Sequence, residues 1–164
     1  MREFPKPNVV ISRCITFEPV RYNAQIISSE FVEKLKPFVN FVPVCPEVEI
    51  GLGVPRDPIR IVLVNGERRL MQPSTGLDFT EKMEQFANSY LNSLDEVDGF
   101  ILKRGSPSSG FKNVKIYPRM EKSSPVGKGP SSSQICPRTG AKRSIRGWSA
   151  IGVSSSWRMP PARL

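Results

Sequence analysis

Apolar residues in this chain come in short runs, parted by polar stretches containing proline and glycine. Asn8-Val-Val-Ile-Ser12 is rich in β-branched residues and leads at once into Arg13 and Cys14, the pattern of a buried strand opening into a loop. Ser29 precedes Phe31, Val32 and Leu35 at helical spacing, which predicts a short capped helix that Pro37 stops. Asn40-Phe-Val-Pro-Val44 is a second strand-like run, again ending on a cysteine, Cys45. Ile59 to Val64 and Glu67 to Met71 flank Asn65-Gly66, a hairpin signal. Phe79, Met83, Phe86, Ala87, Tyr90, Leu91 and Leu94 fall on one face of a 3.6-residue period, so residues 79–94 predict an amphipathic helix, with Asp78 and Glu81 placed for a capping box. Gly99–Lys103 predicts a strand that empties into Arg104-Gly-Ser-Pro-Ser-Ser-Gly110, and Asn113–Tyr117 predicts another. Strands alternating with helices imply crossovers. The expected fold class is α/β, a three-layer Rossmann-like domain with a mainly parallel sheet.

Beyond residue 123 the periodicity stops, and Ser, Pro, Gly and Arg dominate. The expected organisation is an α/β domain over residues 1–130 and a basic Ser/Arg-rich tail without packed structure over 131–164. Charge sharpens that division. Of 24 Lys and Arg against 15 Asp and Glu, the tail holds 6 basic residues and no acidic one. The basic excess therefore belongs chiefly to a tail read as solvated, and nucleic acid is not the expected partner.

The 164 residues include no histidine, which excludes Ser-His-Asp and Cys-His nucleophilic sites and Cys2His2 zinc. Cys14, Cys45 and Cys136 are odd in number and widely spaced, against a disulfide framework. No run approaches the roughly 18 apolar residues of a membrane span, and the N-terminus lacks a long apolar signal core. A soluble, cytoplasmic protein with no membrane partner is expected.

Three loops carry candidate chemistry: those at Cys14, at Cys45 and at Ser106–Gly110. Each follows a predicted strand, and in an open parallel sheet the carboxyl ends of strands line a common ligand crevice. A buried cysteine after a strand is by itself only a small hydrophobe; two at matching strand ends suggest more. Glu47 suits a general base, or else a cap or a partner for Arg56. Gly51 and Gly53 resemble half of a dinucleotide fingerprint, but Arg56 stands where the third glycine belongs, and no Gly-Lys-Ser/Thr loop is present. Ser106-Pro-Ser-Ser-Gly110 reads equally as an anion cradle or a plain turn.

At these loops the chain resembles the thiouracil desulfurase family. The matching segments are Ser12-Arg-Cys14 with Phe17-Glu-Pro-Val-Arg21-Tyr22-Asn23, then Val44-Cys45-Pro-Glu47-Val-Glu-Ile-Gly51-Leu-Gly53-Val-Pro55-Arg56, then Leu102-Lys103-Arg-Gly-Ser106-Pro-Ser-Ser-Gly110 with Val114-Lys-Ile-Tyr117. The resemblance implies an α/β domain in which three cysteines hold a [4Fe–4S] cluster with one iron open. That iron takes sulfur from a thiolated nucleobase such as 2-thiouracil, and water supplies the oxygen of the product. Carried onto this sequence, Cys14 and Cys45 would be metal ligands and Ser109 occupies the third cysteine's place. Glu47 would be the acid/base residue with Ser106 assisting, and Arg21, Arg56, Lys103 and Ser108 would contact the substrate. Two alternatives stay open: a non-catalytic small-molecule or metal-binding domain that has lost the cluster, and an RNA-binding protein using its basic tail.

Overall fold

The computed structural model describes residues 5–110, 112–118, 125, 127–129 and 151–153. Its first strand, β1 (Asn8–Ser12), is followed by helix α1 (Glu30–Leu35), strand β2 (Asn40–Val44) and a four-residue helix α2 (Pro46–Glu49). The hairpin β3 (Arg60–Val64) and β4 (Glu67–Gln72), a two-residue strand β5 (Leu77–Asp78) and helix α3 (Thr80–Ser93) come next. Strands β6 (Gly99–Lys103), β7 (Val114–Pro118), β8 (Gly127–Gly129) and β9 (Ile151–Val153) complete the described elements.

Local chemistry accounts for the boundaries. Ser29 caps α1, its side chain accepting from the Val32 N–H at 3.4 Å. Asn65 and Gly66 turn the β3–β4 hairpin at φ 51° and 84°, the positive values a tight two-residue turn of matching twist needs. The expected capping box on α3 does not form. Phe79 is the cap residue and makes no side-chain bond, while Asp78 accepts from the Thr80 N–H at 2.8 Å and the Thr80 hydroxyl at 2.6 Å. Glu81 turns instead toward Arg69, 3.8 Å away.

The α/β class and the parallel pairing are present, but the strands form two sheets rather than one. The first sheet runs β2-β1-β6-β9 with every pairing parallel. The second runs β5-β4-β3-β7-β8; only β3 and β7 pair parallel there, the rest antiparallel. The Asn-Gly turn accounts for the antiparallel β3–β4 pair, since a two-residue connection can only reverse the chain. Each sheet has its own apolar cluster. Ile11, Cys14, Ile15, Val32 and Ile101 pack with the first; Ile50, Ile59, Ile61, Leu70, Met83, Val114 and Ile116 pack with the second, under α3. Of the 131–164 tail only the backbone of 151–153 is described; Cys136 lies outside the described residues.

Candidate functional site

The strand order β2-β1-β6 places β1 between two parallel neighbours reached by separate crossovers, so the carboxyl ends of all three meet at one edge. Two hydrogen bonds lock those ends together. The Arg13 N–H donates to the Val44 carbonyl at 2.8 Å, and the Lys103 N–H donates to the buried Ser12 hydroxyl at 2.9 Å. The loops leaving these strands carry Cys14, Cys45, Ser106, Pro107 and Ser109 to the wall of one cavity of about 170 Å³, which Arg21, Tyr22, Glu47, Arg56, Ile59 and Lys103 also line. The cavity draws on both apolar clusters, through Cys14 and Val20 on one side and Ile59 on the other. About 150 Å³ holds a benzene ring, so this space takes a single six-membered ring.

The acid is held from several sides. Cys45 stands at the cap of α2, and Glu47 lies in its first turn. Ser108 donates to Glu47 Oε1 at 2.7 Å, Ser106 reaches the same oxygen at 3.5 Å, and the two hydroxyls are 3.0 Å apart. The Cys45 thiol donates to Oε2 at 3.4 Å. The turn that presents the serines closes through the Gly110 N–H, 2.9 Å from the Ser106 carbonyl. A Cβ at Gly110 would sit 2.4 Å from that carbonyl and from Val114 Cγ2, so the turn admits only glycine.

Burial shapes the ionisation of the site. Desolvation, reinforced by the Glu47 charge, pushes the Cys45 thiol up to about 12. Cys14 is raised by the same two causes, against Lys103 and Arg21, which favour its thiolate. Lys103 is lowered, first by burial and then by Arg21. Both cysteines are free thiols.

Cys14, Cys45, Ser109, Glu47, Ser106, Arg21, Arg56 and Lys103 thus all line this one cavity. Ser108 is not on the wall. It is fully buried and bonds the acid. Arg56 does not pair with Glu47; its guanidinium donates to the carbonyls of Val20 at 3.2 Å and Gly53 at 3.0 Å. Tyr22 lines the cavity as well; no role is expected of it from the sequence, although it lies in the Phe17–Asn23 segment that carries the family resemblance.

The 2-thiouracil desulfurase family matches this chain over residues 9–141. The chain belongs to that family. A Bacillus subtilis (strain 168) relative, named uncharacterized protein YbbK, is 32% identical over 110 residues, covering 62% of this chain and 72% of the relative. A solved structure of a [4Fe-4S]-dependent thiouracil desulfidase, TudS, superposes with a TM-score of 0.57 at 27% identity, covering 79% of this chain and 82% of the neighbour. That neighbour thus shares the fold of this chain. No helix among the described residues is long and apolar enough to cross a membrane.

Proposed function

We propose that the cavity binds a thiolated pyrimidine of the 2-thiouracil kind, and that this chain is a desulfurase whose iron–sulfur centre is one soft ligand short. The reading rests on one observation above all: Cys14, Cys45, Glu47, Ser106 and Ser109 reach the same single-ring-sized cavity from three adjacent parallel strands. The family and the TudS neighbour support the substrate class.

A [4Fe–4S] cluster is held by cysteine thiolates. The cavity offers two thiols, and Ser109 presents a hydroxyl in the third place, a harder donor that gives up its proton far less readily. Among the described residues no three Cys, His, Asp or Glu side chains are arranged to hold a metal ion. This donor set does not fit a cluster that needs three thiolates. What the chain retains is the binding and proton chemistry. Ser106 is placed to hold a water or the ring edge. Glu47, kept in one orientation by Ser108, would take a proton from water as it attacks the thiocarbonyl carbon and return it to the sulfur. The sulfur leaves as hydrogen sulfide as the C–S bond breaks, and the new C–O bond becomes the carbonyl. Arg21 and Lys103 supply positive charge beside that carbon.

Turnover of 2-thiouracil to uracil after anaerobic treatment with iron and sulfide tests the reading. The native chain is expected to be inactive or nearly so, Ser109→Cys to gain activity, and Glu47→Gln in that background to lose about 10²–10⁴-fold. A native chain as fast as Ser109→Cys would contradict the incomplete-site reading, and an unaffected Gln variant would remove Glu47 from proton transfer.

A further inference from the structure

Arg56 does more than line the cavity. Its N–H donates to the Tyr22 carbonyl at 2.8 Å while its guanidinium donates to the Val20 carbonyl at 3.2 Å, so one residue fixes the carbonyls on both sides of Arg21. The strap carrying Arg21 and Tyr22 is therefore held against the cavity rather than left to drift. Arg21 lies over the Tyr22 ring, 5.7 Å from its centroid, and close enough to Cys14 and Lys103 for its charge to act on both. Tyr22 is nevertheless 44% exposed, and it contributes the one aromatic ring among the described residues lining the cavity. An aromatic surface beside a ring-sized cavity, partly exposed yet pinned by its backbone, gains from a ligand that covers its open part.

We infer that Tyr22, backed by Arg21 and positioned by Arg56, is a stacking platform that selects planar heterocycles for this cavity. The inference rests on the thiopyrimidine reading and adds to it a specificity-determining residue. Phenol rings and guanidinium planes both stack on nucleobases, and the interaction uses the face of the ring rather than the hydroxyl. Selection then turns on planarity as well as on the sulfur edge.

Calorimetric titration of the full chain with 2-thiouracil and with 5,6-dihydro-2-thiouracil separates the two ideas. The second compound keeps the thiocarbonyl and both N–H groups but has a puckered, partly saturated ring. The native chain should prefer the planar compound, and Tyr22→Phe should keep that preference. Tyr22→Ala should weaken 2-thiouracil binding by roughly tenfold to a hundredfold and abolish the preference. Thermal melting of each variant checks folding, which an exposed side chain should barely affect. A Tyr22→Ala chain that still prefers the planar compound overturns the platform while leaving the thiopyrimidine site standing. A native chain that binds neither compound overturns both.

Discussion

The two sheets of this protein divide labour sharply. In the first, three parallel strands deliver every candidate chemical group to one edge, and polar residues such as Ser12, Ser106, Ser108 and Ser109 are buried there. In the second, the hairpin and α3 bury Ile61, Leu70 and Met83 completely and contribute only Pro58 and Ile59, just before β3, to the cavity. Parallel strands all point their carboxyl ends the same way, so residues some 30 and 90 positions apart in sequence converge; antiparallel strands alternate their ends and gather nothing comparable. The first sheet therefore tolerates buried polar groups for the sake of a site, and the second supplies packing.

Leu70→Ala should show the largest effect on that division. It removes a fully buried side chain from the second cluster and should destabilise by roughly 2–5 kcal/mol in denaturant titration, while 2-thiouracil affinity of the folded fraction stays unchanged. A large affinity loss would mean that the second sheet shapes the site after all.

Alkaline pH should act through the first sheet. The folded Cys45 thiol titrates at about 12 against an ordinary value of 9.0, so between those values the folded chain holds a proton the unfolded chain has released. The stability this provides is complete below pH 9 and is lost as pH rises through 12. The lowered Lys103 works in the opposite direction below 10.5, since the folded chain there binds less proton than the unfolded one. Cys45→Ala should flatten the fall of the melting midpoint above pH 9, and an unchanged slope would show that the thiol does not titrate as its burial requires.

The smallest effect is expected at Arg13 and Glu49, whose 2.6 Å ion pair joins the Cys14 loop to α2 with both side chains partly exposed. Glu49→Gln should cost less than about 1 kcal/mol. A loss above about 2 kcal/mol would make this pair a structural pin of the site.

Much of the first sheet could be read from sequence because its signals are local: a β-branched run before Cys14, a capping Ser29, a run ending on Cys45. The hairpin was equally plain from Asn65-Gly66. That the hairpin belongs to a second sheet was not, because which strands share a sheet depends on long-range pairing such as Ile61 with Ile116. Helix α2 is too short to show a period, and only Pro46 directly after the cap position hinted at it. The roles within the site divided the same way. Composition and spacing put Glu47 beside Cys45, but only the folded turn shows that Ser108 faces inward to the acid and that Arg56 spends its bonds on Val20 and Gly53.

Iron and sulfide content after anaerobic reconstitution, compared between the native chain and Ser109→Cys, tests the central claim most directly. The substitution exchanges one oxygen for sulfur in a turn whose closure depends on Gly110 and Ser106 rather than on the Ser109 side chain, so the loop should keep its shape. The account predicts that the cysteine variant retains near four irons and four sulfides per chain through gel filtration, and that the native chain retains far less. Equal retention by the two proteins would show that the serine serves as a ligand and would contradict the incomplete centre.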